Sequence, residues 1–225
     1  MNAAVFVDAV GTLIRTAEPV GVAYARAAAG LGHAADPDTI ERRFRAGFRA
    51  ARDEGLTQIG DGRPFWRRVV GVALDTDDPA VFEALYAHYA QPAAWAVDDE
   101  ALGVLGGLAR RGARLAVVSN FDTRLRGLYE GLALDRVFSA LVCSGELGVE
   151  KPNPWIFWEA CRVVGVVPRE ALHLGDDEEA DVRGARRAGL DAVLVRAGEW
   201  PAAAPGLATQ RVVLGGGSRS LYSLV

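Results

Sequence analysis

Residues 171–181 read Ala-Leu-His-Leu-Gly-Asp-Asp-Glu-Glu-Ala-Asp, a short, mostly apolar run that passes through glycine into a cluster of carboxylates. Such a run reads as a buried strand entering a turn, and the acidic residues behind it suit the first turn of a helix predicted over 178–188. The same grammar recurs on both sides. Residues 3–7, Ala-Ala-Val-Phe-Val, stop at Asp8 ahead of Gly11 and Thr12, and residues 114–118 end in Ser119-Asn120. Further strands are predicted at 137–142, 192–195 and 212–214. Helices at 99–111, 122–132, 154–164 and 178–188 are each long enough to cross one face of a parallel sheet. The predicted class is α/β, with a Rossmann-like parallel sheet core.

Residues 16–95 lack convincing strands and read as helices near 19–31, 37–53, 64–74 and 79–91. The expected organisation is therefore an α/β core of residues 1–15 and 96–225 interrupted by a helical cap over 16–95. Gly215-Gly216-Gly217 and the short helix candidate behind it are expected to close onto the core as a loop.

Composition narrows the function classes. The 225 residues carry a net charge of −4, and the basic side chains are dispersed among acids, which argues against nucleic acid as the main partner. Cys143 and Cys161 lack metal or disulfide spacing and read as buried thiols. His33, His88 and His173 lack ligand-like spacing, and His173, inside a strand, reads as a satisfied interior residue. Neither an export signal nor a stretch of the ~20 apolar residues of a membrane span is legible, so a cytoplasmic location and no membrane partner are expected. Of 25 basic residues only Lys151 is lysine, which marks 151 as a place that demands an ammonium.

Asp8, Ser119, Asn120, Asp176 and Asp177 all fall at predicted strand ends. Each alone suits a turn or a helix cap. Together they are expected around one crevice, because ligands of open parallel sheets bind outside the carboxyl ends of the strands.

Asp8-Ala9-Val10-Gly11-Thr12-Leu13, Ser119-Asn120, Lys151-Pro152-Asn153-Pro154 and Gly175-Asp176-Asp177 with Asp181, Gly184-Ala185 and Ala188-Gly189 resemble the four ordered motifs of the haloacid dehalogenase superfamily. The insert after the first motif is similar to the helical cap of that family, and Glu18-Pro19-Val20-Gly21 resembles the branch of rhythmically expressed gene products. The resemblance implies that Asp8 is a nucleophile forming an aspartyl intermediate. It implies that Thr12 and Ser119 hold the transferring group, with Asn120 orienting it, and that Lys151 balances charge. Asp8, Asp176 and the main-chain carbonyl of Val10 would bind Mg2+, with Asp177 and Asp181 behind them. The implied substrate is a small anionic molecule.

One position departs from that pattern. Phosphatases of the family carry an acid/base aspartate two residues after the nucleophile, and here Val10 occupies it. Loss of a general acid or base is worth about 10²–10⁴ in rate. Three readings stay open: Mg2+-dependent phosphoryl hydrolysis favouring weakly basic leaving groups, 2-haloacid dehalogenation, in which halide departs unprotonated, and low-turnover binding of a phosphorylated ligand. The acidic Gly175-Asp176 segment is the wrong signature for the second. A phosphonate-cleaving variant would need a cap lysine, and residues 16–95 contain none.

Overall fold

The computed structural model describes residues 3–33, 35–197 and 200. Strand β1 (Ala4–Val7) leads through the Asp8 loop into β2 (Ile14–Thr16). Four helices follow: α1 (Val20–Ala29), α2 (Pro37–Asp53), α3 (Arg63–Leu74) and α4 (Pro79–His88). After them come β3 (Trp95–Val97), α5 (Asp99–Arg110), β4 (Arg114–Ser119), α6 (Leu125–Gly131), β5 (Ala140–Cys143), α7 (Ser144–Leu147) and α8 (Pro154–Val164). The described chain ends with β6 (Ala171–Gly175), a π-helical turn over Glu178–Arg183, α9 (Gly184–Arg187) and β7 (Asp191–Leu194).

Five strands form one parallel sheet in the order β5-β4-β1-β6-β7. Strand side chains alternate between faces, so each of these strands needs apolar residues at every position to be buried on both sides. Val5, Val7, Leu115, Val117, Leu172 and Leu174 accordingly join the core cluster that includes Leu105 and Leu108 of α5 and Leu128 of α6. Ala4, Phe6, Ala116, Val118 and Ala171 join the opposite cluster with Ile156, Phe157 and Ala160 of α8. The chain crosses to the other half of the sheet at the β1–β6 boundary. That boundary is the topological switch point, where the loops diverge and a crevice opens.

The helical insert has its own core of Tyr24, Ile40, Val70, Phe82 and Leu85. Its helices begin where the sequence supplies caps. Asp36 accepts from the Thr39 amide and Asp78 from the Ala80 amide, each with proline in the first turn. The ends of the insert meet as an antiparallel pair in which Thr16 opposes Trp95. These two three-residue strands lie at the edges of a stretch read as purely helical, and are a correction to that reading. A second correction concerns 137–142: a 3-10 turn occupies Leu134–Arg136, and the strand begins only at Ala140. The strand expected at 212–214 and the tail glycines lie outside the described residues. Among those residues no helix is long and apolar enough to cross a membrane.

Core and insert are tied by a polar seam. Gly60 donates its amide to Gly145 O at 3.0 Å, and Thr123 donates to Gly60 O at 2.9 Å. The indole of Trp66, on α3, donates to buried Asp122 at 2.7 Å. Asp122 is also paired with Arg124, whose guanidinium lies 3.7 Å from the centre of the Tyr86 ring and donates to Tyr86 O at 3.0 Å. These contacts hold α3 and α4 over the carboxyl ends of the strands.

Candidate active site

Asp8 follows β1 directly and is anchored by its own amide, which donates to Leu174 O of the neighbouring β6 at 2.8 Å. Its carboxylate is nearly buried at 6% exposure. Lys151 Nζ donates to Asp8 Oδ1 at 2.6 Å, to Asp181 Oδ1 at 2.6 Å and to Val118 O at 3.0 Å. All three donor positions of the ammonium are thus spent. Ser119, at the end of β4, donates its hydroxyl to the same Asp8 oxygen at 3.2 Å. Asp8 Oδ2 accepts no hydrogen bond from the described residues.

Lys151 reaches this point because its main chain is clamped. Its amide donates to Asn120 Oδ1 at 2.7 Å, and Asn120 Nδ2 donates to Lys151 O at 2.8 Å. Asn120 was expected to orient the transferring group; its amide is engaged instead with the lysine main chain, and it acts on the crevice through Lys151.

Asp176 projects from the end of β6 and accepts from the Thr12 hydroxyl at 3.3 Å. The first loop can approach it because residue 11 is glycine. Gly11 has φ +93°, and a Cβ there would lie 2.6 Å from Asp176 Oδ2. Gly175 meets a similar demand, since a Cβ on it would lie 2.2 Å from Asp181 Cγ. Gly11→Ala should therefore strain the loop and push Asp176 aside, lowering stability by about 1–3 kcal/mol in urea denaturation. An alanine variant as stable as the parent would mean that the loop relaxes freely.

Asp181 is fully committed. Besides Lys151, it takes a hydrogen bond from His173 Nε2 at 2.8 Å on Oδ1 and the Asp177 amide at 3.0 Å on Oδ2. Asp177 caps the following turn, its Oδ1 accepting from the amides of Glu179 and Ala180. His173 departs from its reading as a satisfied interior residue: Nε2 has its partner, whereas buried Nδ1 has none.

The electrostatics follow from burial opposed by one shared cation. Desolvation pushes the Asp8 carboxyl up to about 6, against the lowering effect of Lys151. Desolvation also acts on Asp181, but there Lys151 and the His173 hydrogen bond outweigh it and hold the carboxyl below its ordinary value. The two acids share one ammonium yet move in opposite directions, because Asp181 takes Lys151, His173 and the Asp177 amide as donors, while Asp8 is more deeply opposed by desolvation and also feels Asp181 and Asp176. Lys151 is desolvated too, but Asp181 and Asp8 together raise it and keep it charged. Burial lowers His173, against the raising effect of its contact with Asp181.

Above the carboxylates a cavity of about 390 Å³ extends under the insert. Asp8, Val10, Ser119, Lys151 and Asp176 border it, and Tyr24, Phe44, Trp66, Tyr89, Trp95 and Phe121 are among its walls. Val10 is 37% exposed. The structure thus links Asp8, Ser119, Lys151 and Asp181 by hydrogen bonds and sets the Thr12–Asp176 pair beside them, with oxygens of Asp8, Asp176 and Asp181 within 4.8 Å of one another. Sequence reasoning missed Asp122, Arg124 and their tie to Trp66. Asp122 was within reach of it, being two residues beyond Asn120 in the same strand-end loop; Trp66 was legible as a possible wall of the cavity, but its bond to Asp122 was not.

Comparison with known proteins agrees with this arrangement. A model of haloacid dehalogenase-like hydrolases matches residues 3–189. The chain is 36% identical over 199 residues to haloacid dehalogenase-like hydrolase domain-containing protein 3 of Homo sapiens, covering 84% of this chain and 79% of the human one. It is 38% identical over 151 residues to phosphoserine phosphatase of Thermus thermophilus, covering 64% of this chain and 61% of that protein. Among solved structures, a HAD phosphatase from Thermococcus onnurineus superposes with a TM-score of 0.61 at 25% identity over 86% of each chain.

Proposed function

The chain belongs to the haloacid dehalogenase-like hydrolases, and from that premise we propose that it is a Mg2+-dependent phosphoryl hydrolase acting on a small anionic molecule through a covalent intermediate on Asp8. The observation that carries this reading is the asymmetry of the Asp8 carboxylate: Oδ1 is held by Lys151 and Ser119, and Oδ2, at the edge of the cavity, has no donor among the described residues. A carboxylate fixed at one oxygen and open at the other suits in-line attack.

In this reading Asp8 forms a bond to phosphorus as the leaving oxygen departs with its electron pair, and water then cleaves the aspartyl phosphate, returning the pair to the carboxylate. Lys151 offsets charge on Asp8 and the incoming anion, held on its other side by Asp181. The Ser119 hydroxyl borders the cavity, where it can turn from Asp8 to a phosphoryl oxygen, whereas Thr12 is fully buried and supports the site from behind through Asp176. Asn120 sets the height of the ammonium through the lysine main chain.

The residues fit a hard cation. Oxygen atoms of Asp8, Asp176 and Asp181 lie within 4.8 Å of one another, and Asp176 retains an oxygen to which no described residue donates. Asp181 already accepts from Lys151, His173 and the Asp177 amide, which supports a role behind the ligands rather than among them. Mg2+ would be held by Asp8, Asp176 and the Val10 carbonyl, with Asp177 outside them, and would supply neutralisation of phosphoryl charge.

Val10 favours a second reading, 2-haloacid dehalogenation, because halide needs no proton to leave. Low-turnover binding of a phosphorylated ligand is a third, to which silence on every substrate would point. Against the second stands the acidic end of β6, which a metal-free displacement does not require; the phosphatase relative argues the same way. Purified protein assayed on phosphoesters, acyl phosphates and 2-haloacids separates them. Phosphate release is expected to require Mg2+, to vanish in EDTA and to return with excess Mg2+; halide release indifferent to EDTA would overturn the proposal.

A further inference from the structure

The leaving side of the crevice and the cavity behind it have matching chemistry. Val10, two residues beyond Asp8 and bordering the cavity, has no proton to give. The lysine ammonium at the mouth is spent on Asp8, Asp181 and the Val118 carbonyl. An alkoxide leaving group would therefore depart unassisted, whereas a weakly basic oxygen needs no acid.

Behind Val10 the walls are aromatic. Tyr24, Phe44, Trp66, Tyr89, Trp95 and Phe121 reach the cavity from both the insert and the core, many of them in edge-to-face or tilted contact with one another. The charged pair at the seam offers little, since Arg124 is bound to Asp122 and stacked on Tyr86, and Asp122 also holds the Trp66 indole. Among the described residues that line the cavity, the one fully buried side-chain polar atom lacking a partner is the Tyr89 hydroxyl. Beyond the strand-end cluster and the seam, Thr16, Arg52, Gln58 and the tyrosine hydroxyls are the polar groups on walls that are otherwise aromatic and aliphatic, so a polyol inside would leave hydroxyls unpaired, at a cost of about 1–3 kcal/mol each. A flat apolar ring meets no such penalty and gains from burial and aromatic contact. The volume, about 390 Å³, is within the ~300–1,000 Å³ of small-molecule sites.

We infer that the substrates are phosphate monoesters of aromatic alcohols, with the phosphoryl group at Asp8 and Lys151 and the ring in the aromatic cavity beneath the insert. The inference rests on the phosphoryl-transfer reading above. Asp8 bonds to phosphorus as the bond from phosphorus to the aryl oxygen breaks; the electron pair leaves on that oxygen, the ring delocalises it, and solvent protonates it after release. Water then adds to phosphorus, the bond to Asp8 breaks with its pair returning to the carboxylate, and the water proton passes to phosphate or solvent.

Two matched pairs of compounds test this, with acetyl phosphate as a control for turnover at Asp8. In the first, kcat/KM with Mg2+ is compared for 1-naphthyl phosphate and 2-(1-naphthyl)ethyl phosphate, which share the ring but differ in leaving-oxygen basicity; a preference of about 10²-fold or more for the aryl ester is expected. In the second, quenching of tryptophan fluorescence compares 1-naphthylmethylphosphonate with methylphosphonate; binding tighter by about tenfold or more is expected from burial of the ring. Val20→Trp, which puts bulk into the cavity from the first turn of α1, should reduce the second ratio by about fivefold or more. Equal rates in the first pair or equal binding in the second overturns the inference, and Asp8-dependent hydrolysis of acetyl phosphate would then leave the phosphatase reading standing. No phosphate release from any compound overturns both.

Discussion

Asp8→Asn is expected to abolish phosphate release, lowering kcat by about 10⁴-fold or more, the scale seen when a covalent nucleophile is removed. The amide keeps the shape of the side chain and loses the attacking oxygen. Lys151 remains paired with Asp181 and with the Val118 carbonyl, so the variant should fold as the parent does. In EDTA it should be at least as stable as the parent at pH 8. Burial raises the Asp8 pKa to about 6 from 3.8, so ionising Asp8 costs the folded parent stability as pH rises through that window, and asparagine escapes this cost. The difference should shrink as pH falls toward 4. Mass spectrometry of acid-quenched parent should show one added phosphoryl group that the variant never acquires. Residual turnover within tenfold of the parent would remove Asp8 from the role of nucleophile and the whole scheme with it.

How far this site could be read from sequence depends on which residues announce themselves locally. The β1, β4 and β6 runs are legible because strands buried on both faces must be apolar throughout, and each ends abruptly at a group that cannot be buried cheaply: Asp8, Ser119 and Asp176. Lys151 is legible because a chain that otherwise uses arginine keeps one lysine. The short β2 and β3 were missed because three residues carry no period, and Arg15 in the middle of β2 is exposed. Residues 137–139 misled because Phe138 is buried beneath a turn, where Tyr129 donates its hydroxyl to Phe138 O at 2.6 Å, and not in a sheet. Long-range partnerships are the least visible. The 56-residue separation of Trp66 from Asp122, and the use of Asn120 on the lysine main chain, are properties of the assembled fold that no local pattern encodes.

Val10→Asp carries the second large effect and separates phosphoryl transfer from displacement of halide. The side chain at 10 is partly exposed at the mouth of the cavity, so a carboxylate there stays hydrated and avoids the penalty of a buried unpaired charge. It would stand on the leaving side of phosphorus as a proton donor to the departing oxygen and then as a base for the attacking water. The gain should depend on the leaving group. For alkyl phosphates, whose alkoxide is strongly basic, kcat/KM should rise by about 10²–10⁴-fold, the usual worth of a positioned acid or base. For acetyl phosphate or an aryl phosphate, whose leaving oxygen needs little help, the first step should barely change, and any gain would come through hydrolysis of the intermediate. A plot of rate against leaving-group basicity should therefore be steep in the parent and flat in the variant. If both slopes are equal, or if the variant is no faster on any ester, proton transfer at this position does not limit the enzyme. Val10 would then be an adaptation to a leaving group that never accepts a proton, and halide release would become the reading to pursue.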